Sequence, residues 1–311
     1  MISVIIPLYN EEEVFNECYR RLKAVLETVN DTYELLFIND GSRDRTGILA
    51  AMCAEEDAHV KLISFSRNFG HQIAITAGMD YAAGDAVIII DADLQDPPEL
   101  IPKMIAKWKE GYHVVYGKRI KRHGETLFKK VTAKIFYRFL KHMTQVDIPT
   151  DTGDFRLIDR KVCDAMKRLG ERNRYVRGLV SWVGFKQCAL EYEREERFAG
   201  KTKYPFKKMI RFAMDGIASF SYKPLKIASL VGFFLSALSF LYLAFVVLQK
   251  LFGAPTAPGW ASILAVQLFF NGIILIILGI IGSYIGRIYE ESKGRPLYIV
   301  QEEIGFDRKD S

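Results

Sequence analysis

The sequence predicts an α/β protein whose mostly parallel sheet is followed by two membrane-spanning helices. In the N-terminal third of the chain, short β-branched runs alternate with helical stretches, which is the pattern of parallel strands joined by crossover helices. Polar side chains stand where these runs end, as expected of a ligand site at the carboxyl edge of such a sheet. Beyond Lys226, two uncharged apolar stretches follow one another, and each is long enough to cross a bilayer.

The composition of the 311 residues is that of a folded protein. Half of them are hydrophobic and 26% are charged, which excludes a disordered or low-complexity chain. The net charge is 43 − 37 = +6, so the chain is mildly basic. The four cysteines share no CxxC or other metal-ligand spacing, and we expect reduced thiols.

Strands and helices are predicted in alternation. The strands are Ile2–Ile6, Tyr33–Ile38, Val60–Phe65 and Ala86–Ile90. The helices cover about Glu12–Val29, Asp44–Glu56, Gln72–Tyr81 and Pro98–Lys109, and His113–Gly117 is strand-like. Apolar strands joined by helices form a sheet that is covered on both faces, so ligands are expected at the carboxyl ends of its strands.

The residues that follow the strands narrow the class of ligand. The first strand lacks both the GxGxxG and the GxxxxGK[ST] pattern, which excludes a dinucleotide-binding fold and a P-loop enzyme. Asp91 and Asp93 lie at i and i+2 where the fourth strand ends, so both can turn toward one hard divalent ion. Mg²⁺ or Mn²⁺ prefers oxygen ligands and shares its coordination shell with substrate phosphates. The alternative is an acidic pair that only caps a helix or solvates a loop.

Six motifs together resemble a known family. The segments 6–12 (IPLYNEE), 39–42 (NDGS), 67–71 (RNFGH) and 91–98 (DADLQDPP) resemble family 2 inverting glycosyltransferases of the Rossmann-like GT-A fold. The segments 152–157 (TGDFRL) and 172–178 (RNRYVRG) are similar to the polyisoprenyl-phosphate glycosyltransferases, which include dolichol-phosphate mannose synthases and bactoprenol glucosyltransferases. The resemblance covers nearly the whole chain, including the two apolar stretches.

The resemblance implies a role for each matching residue. The nucleotide-sugar donor is expected to contact Pro7, Tyr9, Glu11, Asp40, Asp91 and Arg177. The metal and the diphosphate are assigned to Asp91, Asp93 and Gln95, and the catalytic residues to Asp154 as base and Asp93. Two alternatives stay open: Asp154 could be a turn aspartate paired with Arg156, and Pro7 and Tyr9 could serve strand-end packing.

The implied reaction is inverting transfer of a sugar, with UDP-glucose as the preferred donor, to undecaprenyl or another polyprenyl phosphate. GDP-mannose, UDP-N-acetylglucosamine and a modified arabinose remain alternative donors. Because a phosphate acceptor has its second pKa near 6, it is largely dianionic at neutral pH. We therefore expect Asp154 mainly to orient the acceptor. A different class of function is an inactive membrane scaffold for a lipid-sugar flippase, although the intact acidic residues favour an enzyme.

A basic segment is predicted to meet the lipid phosphate. Between Lys103 and His142 there are twelve Lys or Arg against two Glu, with apolar and aromatic residues interleaved at near-helical spacing. This pattern is typical of an interfacial amphipathic helix, here at about residues 125–142, and a solvated basic helix is the alternative. Nucleic acid is not expected as a partner of a membrane-spanning chain. We assign the lipid phosphate to Arg119, Lys130 and Lys134, and a mobile loop over the donor to Lys203 and Tyr204.

The predicted spans are Ile227–Leu248 and Ile263–Ile285. The second has 23 residues, which at about 1.5 Å each reach roughly 35 Å. Basic residues flank the outer ends of both spans, whereas the connecting loop has only Lys250, so the positive-inside rule places both termini in the cytoplasm of a multi-pass plasma-membrane protein. A pair of buried helices in a soluble core is the alternative.

The expected organisation has four parts. Residues 1–200 form the cytoplasmic catalytic domain, 201–226 a loop and an interfacial helix, 227–286 the two spans, and 287–311 a cytoplasmic tail. Gly282 and Gly286 lie in GxxxG spacing, which indicates a possible helix-packing face and a homo-oligomer.

Overall fold

The computed structural model describes residues 1–120, 149, 152–193, 223–252 and 259–306. The chain divides into two compact units. One comprises Met1–His142, Val146–Ala213 and Arg295–Ser311, and the other comprises Met143–Gln145 and Met214–Gly294. The predicted basic helix, Lys130, Lys134, Lys203 and Tyr204 lie outside the described residues.

The first unit is built on one sheet, which has eight strands in the described part of the chain. They are β1 (Ile2–Leu8), β2 (Tyr33–Asn39), β3 (Val60–Phe65), β4 (Ala86–Ile89), β5 (Val114–Arg119), β6 (Thr152–Asp159), β7 (Gln187–Tyr192) and β8 (Val300–Ile304). Their order is β7-β5-β6-β4-β1-β2-β3-β8. Strands β6 and β8 are antiparallel to their neighbours, and the other pairings are parallel. The predicted mostly parallel α/β fold is therefore confirmed.

Helices cover this sheet. They are α1 (Phe15–Leu26), α2 (Thr46–Glu56), α3 (His71–Tyr81), α4 (Ile101–Lys109), α5 (Arg160–Lys167) and α6 (Val176–Trp182). Because both faces of the sheet are covered, β1 is buried along its whole length, which explains its unbroken apolar run. Phe15 of α1 packs on Phe37 of β2 with ring centroids 5.0 Å apart, and both side chains are fully buried.

Pro7 occupies a central strand without breaking its ladder. Backbone groups of successive residues in a strand point to opposite sides. The Leu8 carbonyl accepts from Asp40 N on the β2 side, and the Ile5 carbonyl accepts from Ile90 N on the β4 side. The nitrogen of Pro7 therefore faces β4, whose pairing with β1 ends at Ile5–Ile89. The missing N–H costs no sheet hydrogen bond at that position.

The boundaries of the four predicted helices differ from the observed ones by one to three residues, most of all in the first and the fourth. The first helix begins at Phe15, not at Glu12, because a turn precedes it in which Val14 and Phe15 donate to the Glu11 carbonyl. The fourth begins as a 3₁₀ turn at Pro98–Leu100 and becomes α-helical at Ile101. Strands β6, β7 and β8 and helices α5 and α6 had not been predicted.

The second unit contains two long helices, α7 (Lys223–Leu251) and α8 (Trp260–Ser292). Within the described residues, Pro224–Tyr242 and Phe269–Ser292 are long and apolar enough to cross a membrane. Only 6% and 0% of their most apolar windows are buried inside the protein. The described part of the chain therefore does not enclose these helices, whereas the core helices of a soluble protein would be mostly enclosed.

Candidate functional site

The strand order locates the site. Strands β3, β2 and β1 follow one another in one direction, and β4 lies on the other side of β1. This reversal is the topological switch point, where loops leave the sheet in opposite directions and open a crevice at the carboxyl ends. The residues that follow β1 and β4 lie at this edge of the sheet.

The acidic segment after β4 presents alternate residues to the crevice. Ala92, Leu94 and Asp96 are buried, with exposed fractions of 3%, 2% and 0%. Between them Asp91, Asp93 and Gln95 are half-buried. The segment is fixed locally by a positive φ of 57° at Leu94 and by the Gln95 amide, which donates to Asp93 Oδ1 at 3.2 Å. The three predicted metal and diphosphate residues are therefore the more exposed residues of this segment.

The pairing register of β4 with β6 brings Asp154 to the same place. Ile89 pairs with Arg156 in an antiparallel ladder. Continuing that register by two residues sets Asp91 opposite Asp154. His71, the first residue of α3, lies between them, with its Nε2 atom 3.4 Å from Asp91 Oδ1 and 3.3 Å from Asp154 Oδ2. Although burial acts against its charged form, the Asp91 and Asp154 carboxylates raise the pKa of His71 to about 9.

Asp154 is buried and held by charged and polar donors. Arg177 donates from Nε to Oδ1 at 2.8 Å and from its terminal nitrogen to Oδ2 at 3.1 Å. Gln72 Nε2 donates to Oδ2 at 3.3 Å, and its Oε1 accepts from the Val176 amide at 2.9 Å. Burial alone would raise the pKa of Asp154, but Arg177 and His71 hold it well below its ordinary value. Asp154 is therefore a fixed anion.

Arg156 does not pair with the Asp154 carboxylate. Its guanidinium donates to the backbone carbonyls of Asp154 and Gly153, at 3.3 and 2.9 Å. Burial lowers the pKa of Arg156 to about 10. The alternative of a turn aspartate paired with Arg156 thus fails, because Arg177 occupies both carboxylate oxygens.

Asp91 has a buried oxygen that is suited to bind a cation. Its buried Oδ1 has no hydrogen-bond partner among the described residues, and the contact with His71 lacks hydrogen-bond geometry. His71 lowers the pKa of Asp91, but burial together with the nearby carboxylates of Asp154, Asp96 and Asp93 outweighs it and raises that pKa to about 6. No cluster of three His, Cys, Asp or Glu side chains in the described ranges could hold a metal by itself. The residues fit a divalent ion that takes its remaining ligands from a substrate diphosphate.

Asp40 is engaged by the loop that leads to His71. Its carboxylate accepts from Asn68 Nδ2 at 2.8 Å, from the Phe69 amide at 2.6 Å and from the Gly70 amide at 2.9 Å. Burial raises the pKa of Asp40 against these donors. Gly41, with φ of +62°, packs on the same loop, since an added Cβ would lie 2.6 Å from Asn68 N. Asp40 thus anchors the loop, in addition to any contact with a nucleotide.

Of the other residues assigned to the nucleotide, Pro7 lies near the end of β1, and Tyr9 and Glu11 follow the end of that strand. Pro7 is buried in the sheet, whereas Tyr9 is 37% exposed at the crevice. The Glu11 amide donates to Thr46 Oγ1 at 2.8 Å, which fixes the turn before α1. Arg177 was also assigned to the donor. Its guanidinium donates hydrogen bonds to the Asp154 carboxylate and, at 3.0 Å, to the Thr152 carbonyl.

Arg119 has an internal partner. Its guanidinium contacts Asp96 Oδ1 at 3.3 Å and donates from Nε to the Tyr192 hydroxyl at 3.1 Å, and Tyr192 donates to Asp96. The Arg119 side chain is 15% exposed and that of Asp96 is 1% exposed. Gly153 makes room for the guanidinium, because an added Cβ would lie 3.2 Å from Arg119 Cζ. This geometry indicates a buried ion pair that ties β5 to the acidic segment.

Replacing Arg119 with alanine is expected to destabilise the protein by about 3 kcal/mol, because it leaves a buried Asp96 without its counter-charge. Thermal unfolding of the full chain in detergent measures the change. Lys118→Ala is the matched control, since its partner Glu191 is 54% exposed and the pair contributes about 0–1 kcal/mol. Unchanged stability with a lipid-phosphate KM raised roughly 10-fold or more would instead restore Arg119 to the acceptor site.

Sequence reasoning missed three participants. His71 was only part of a motif that supports the family resemblance, and Gln72 was predicted only as a helix residue. No role was predicted for Tyr192. The sequence did hold a signal for His71, because Gly70 precedes it and glycine often stands at the start of a helix. In the structure this glycine has φ of +106° and α3 begins directly after it. Tyr192 gave no signal, because its partner Asp96 lies 96 residues away in the chain.

Comparison with known proteins gives a consistent picture. Residues 3–166 match the sequence profile of the family described as glycosyl transferase family 2. The chain is 62% identical over 307 residues to an uncharacterized glycosyltransferase of Bacillus subtilis (strain 168), covering 99% of this chain and 95% of that protein. It is 43% identical over 303 residues to the bactoprenol glucosyl transferase of Shigella phage SfV, covering 97% and 98%.

Among the solved structures similar to this chain is a sugar-transferring enzyme of low sequence identity. Glucosyl-3-phosphoglycerate synthase from Mycobacterium tuberculosis, in complex with Mn²⁺, UDP and glucosyl-3-phosphoglycerate, is 20% identical. It superposes with a TM-score of 0.44 over 70% of this chain and 77% of that one.

Proposed function

The chain belongs to glycosyltransferase family 2, and from that membership we propose that it transfers a hexose from a nucleotide sugar to a polyprenyl phosphate at the membrane surface. One observation supports a polyprenyl phosphate as the acceptor. The chain is 43% identical to a bactoprenol glucosyl transferase over 97% of its length, so the similarity includes both apolar helices. A catalytic domain that adds sugar to a soluble acceptor would have no need of them. The name of that relative supports glucose as the transferred sugar, and UDP-glucose is the donor that we propose for this chain.

The charges of the site suit this reaction. The donor diphosphate would lie at Asp91, Asp93 and Gln95, which are half-buried between the buried residues of the same segment. A divalent cation, Mg²⁺ or Mn²⁺, would be held by Asp91 and Asp93 and would supply neutralisation of the leaving diphosphate. The buried Asp91 oxygen without a hydrogen-bond partner among the described residues supports that assignment.

Asp154 acts as an orienting anion in this proposal. A sugar hydroxyl would need a general base, but a phosphate monoester is already largely dianionic at neutral pH. A carboxylate whose pKa is held low by Arg177 and His71 is a poor proton acceptor. Its value lies in fixing His71, Gln72 and Arg177 around the point where donor and acceptor meet. In-line attack by the phosphate oxygen would invert the anomeric centre.

The orientation in the membrane follows from charge. Basic residues flank the outer ends of the two apolar stretches, and only Lys250 lies between them. Both termini and the catalytic unit then lie in the cytoplasm, where nucleotide sugars are made. The acceptor phosphate would be met by the basic residues 129–138, which lie outside the described part of the chain.

A lipid-extraction assay tests the proposal. The full chain in nanodiscs containing undecaprenyl phosphate is incubated with Mn²⁺ and labelled UDP-glucose, GDP-mannose or UDP-N-acetylglucosamine, and label in the organic phase is counted. We expect transfer from UDP-glucose above the other two donors, and none without the lipid phosphate. Transfer from GDP-mannose alone would overturn the donor. Release of free sugar with no lipid product would overturn the acceptor, and no turnover of any donor would favour a scaffold.

A further inference from the structure

The segment after α8 returns to the catalytic unit as strand β8. It pairs antiparallel with β3, and its first residue Val300 lies opposite Phe65, the last residue of β3. Just beyond that pair, the Ser66 amide donates to the Ile299 carbonyl at 3.0 Å. The tail therefore meets the sheet at the carboxyl edge, where β3 passes into the loop 66–70.

Aromatic rings continue the contact from the tail into that loop. The Tyr298 ring stacks on Phe65 with centroids 5.1 Å apart and planes inclined by 20°. Phe65 in turn meets the edge of Phe69 at 5.7 Å. Phe69 donates its amide to the anchoring carboxylate of Asp40, and His71 follows two residues later. Three packed rings thus connect the tail to the residue that bridges Asp91 and Asp154.

The tail also holds the other end of α3. The Tyr298 hydroxyl donates to Asp80 Oδ2 at 3.0 Å, and the Tyr81 hydroxyl donates to Glu303 Oε1 at 2.5 Å. Helix α3 carries His71 and Gln72 in its first turn and these two contact residues at its last. Tyr298 therefore touches both the strand before the loop and the end of the helix after it.

We propose that Tyr298 is a positioning residue of the active site, and that the tail strand β8 holds the loop 66–70 and helix α3 so that His71 and Gln72 stay in contact with Asp154. This inference rests on the proposed sugar transfer only for its activity readout. A different role for β8 is simply to cover the edge of β3, which blocks unwanted strand pairing. Edge covering would stabilise the whole domain without a particular effect on residues 66–72.

Tyr298→Ala in the full-length chain separates the two roles. Turnover is expected to fall by up to about 100-fold, as for a displacement of about 1 Å at catalytic groups, with little change in KM. Amide exchange of residues 66–72, measured by mass spectrometry without substrate, should speed up more than that of β1 and β2. Tyr298→Phe keeps the ring on Phe65 and loses only the hydrogen bond to Asp80, so its turnover should fall less than that of Tyr298→Ala. Tyr298→Leu keeps apolar bulk but loses both the ring and the hydrogen bond, so its turnover should fall further than that of Tyr298→Phe.

Tyr33→Ala is the matched control. Tyr33 stacks on His59 with centroids 4.7 Å apart and the same 20° inclination, but at the start of β2, the opposite end of the strands. It should lower the thermal stability without slowing turnover or loosening residues 66–72. Equal losses of turnover in Tyr298→Ala and Tyr33→Ala, or unchanged exchange of residues 66–72 in Tyr298→Ala, would overturn the proposal. If the unmodified chain transfers no sugar, the exchange result still decides the positioning role by itself.

Discussion

Replacing Asp91 with asparagine is expected to abolish sugar transfer while leaving the protein without substrates at least as stable as the unmodified chain. The two effects have one cause. Asp91 is a half-buried carboxylate among other carboxylates, and its buried Oδ1 has no hydrogen-bond donor among the described residues. Its charge is therefore unfavourable in the empty site and useful only when a cation and a diphosphate arrive. Loss of a charged metal ligand removes several kcal/mol of stabilisation, so turnover should fall by about 1,000-fold or more.

The contribution of Asp91 to the stability of the folded protein should change with pH in a defined direction. The pKa of Asp91 is raised to about 6 in the folded protein, from an ordinary carboxyl value of about 4. Between these two values the folded state binds more protons than the unfolded state, so this group makes stability fall as pH rises across that window. Above pH 6 the penalty is complete. The asparagine variant lacks it, and its stability curve should be flatter between about pH 4 and 6.

Thermal shift with Mn²⁺ and UDP measures the binding half of the prediction. The unmodified chain should gain thermal stability from the pair of ligands, because binding to the folded state alone stabilises it. Asp91→Asn should show no such gain. Asp164→Asn is the control, because this aspartate is half-exposed on α5 and makes only a weak contact, 3.9 Å long, with Arg160. A ligand-induced shift of normal size in Asp91→Asn would show that the metal lies elsewhere.

The buried parallel strands could be predicted because they carry their own signal. Strands β1 to β4 are buried on both faces and read as unbroken apolar runs, and their observed positions agree with the predictions to within two residues. The GT-A fold and the family are likewise confirmed. Strands β7 and β8 lie at the edges of the sheet, where exposed polar residues interrupt the pattern, as in Glu302 and Glu303. A half-exposed edge strand cannot be told from a loop by apolar runs alone.

The site divides in the same way. The prediction for Asp91 and Asp93 followed from the end of one strand, a local property, and the prediction for Gln95 followed from the family resemblance. The partners of Arg119 and Arg177 did not follow, because pairing depends on how distant segments pack. Arg119 was assigned to the lipid phosphate as a cation near a basic helix, whereas Asp96 meets it from 23 residues away. Sequence gives the sign of a charge but not the group that neutralises it.

Asp154→Asn is expected to reduce turnover by about 100-fold and also to destabilise the protein. The buried carboxylate neutralises Arg177 across two hydrogen bonds, and its removal leaves a half-buried guanidinium without a counter-charge, which costs about 3 kcal/mol. The amide also releases His71 and Gln72 from their positions, and misplacement of catalytic groups by about 1 Å costs about 100-fold in rate. Because stability and turnover change together, a second variant has to separate them.

The double variant Asp154→Asn with Arg177→Gln provides that separation. Removing both charges leaves neutral side chains that can hydrogen-bond, so thermal stability should recover most of the loss while turnover stays low. The pKa of Asp154 lies well below its ordinary value, so its stabilising effect is present above pH 4 and is lost only as the pH falls through the folded-state pKa. From pH 6.5 to 8.5 its charge is constant, and the residual turnover of Asp154→Asn should be nearly flat. A steep rise of that turnover with pH would mean that the missing group had been removing a proton, and Asp154 would then be the general base.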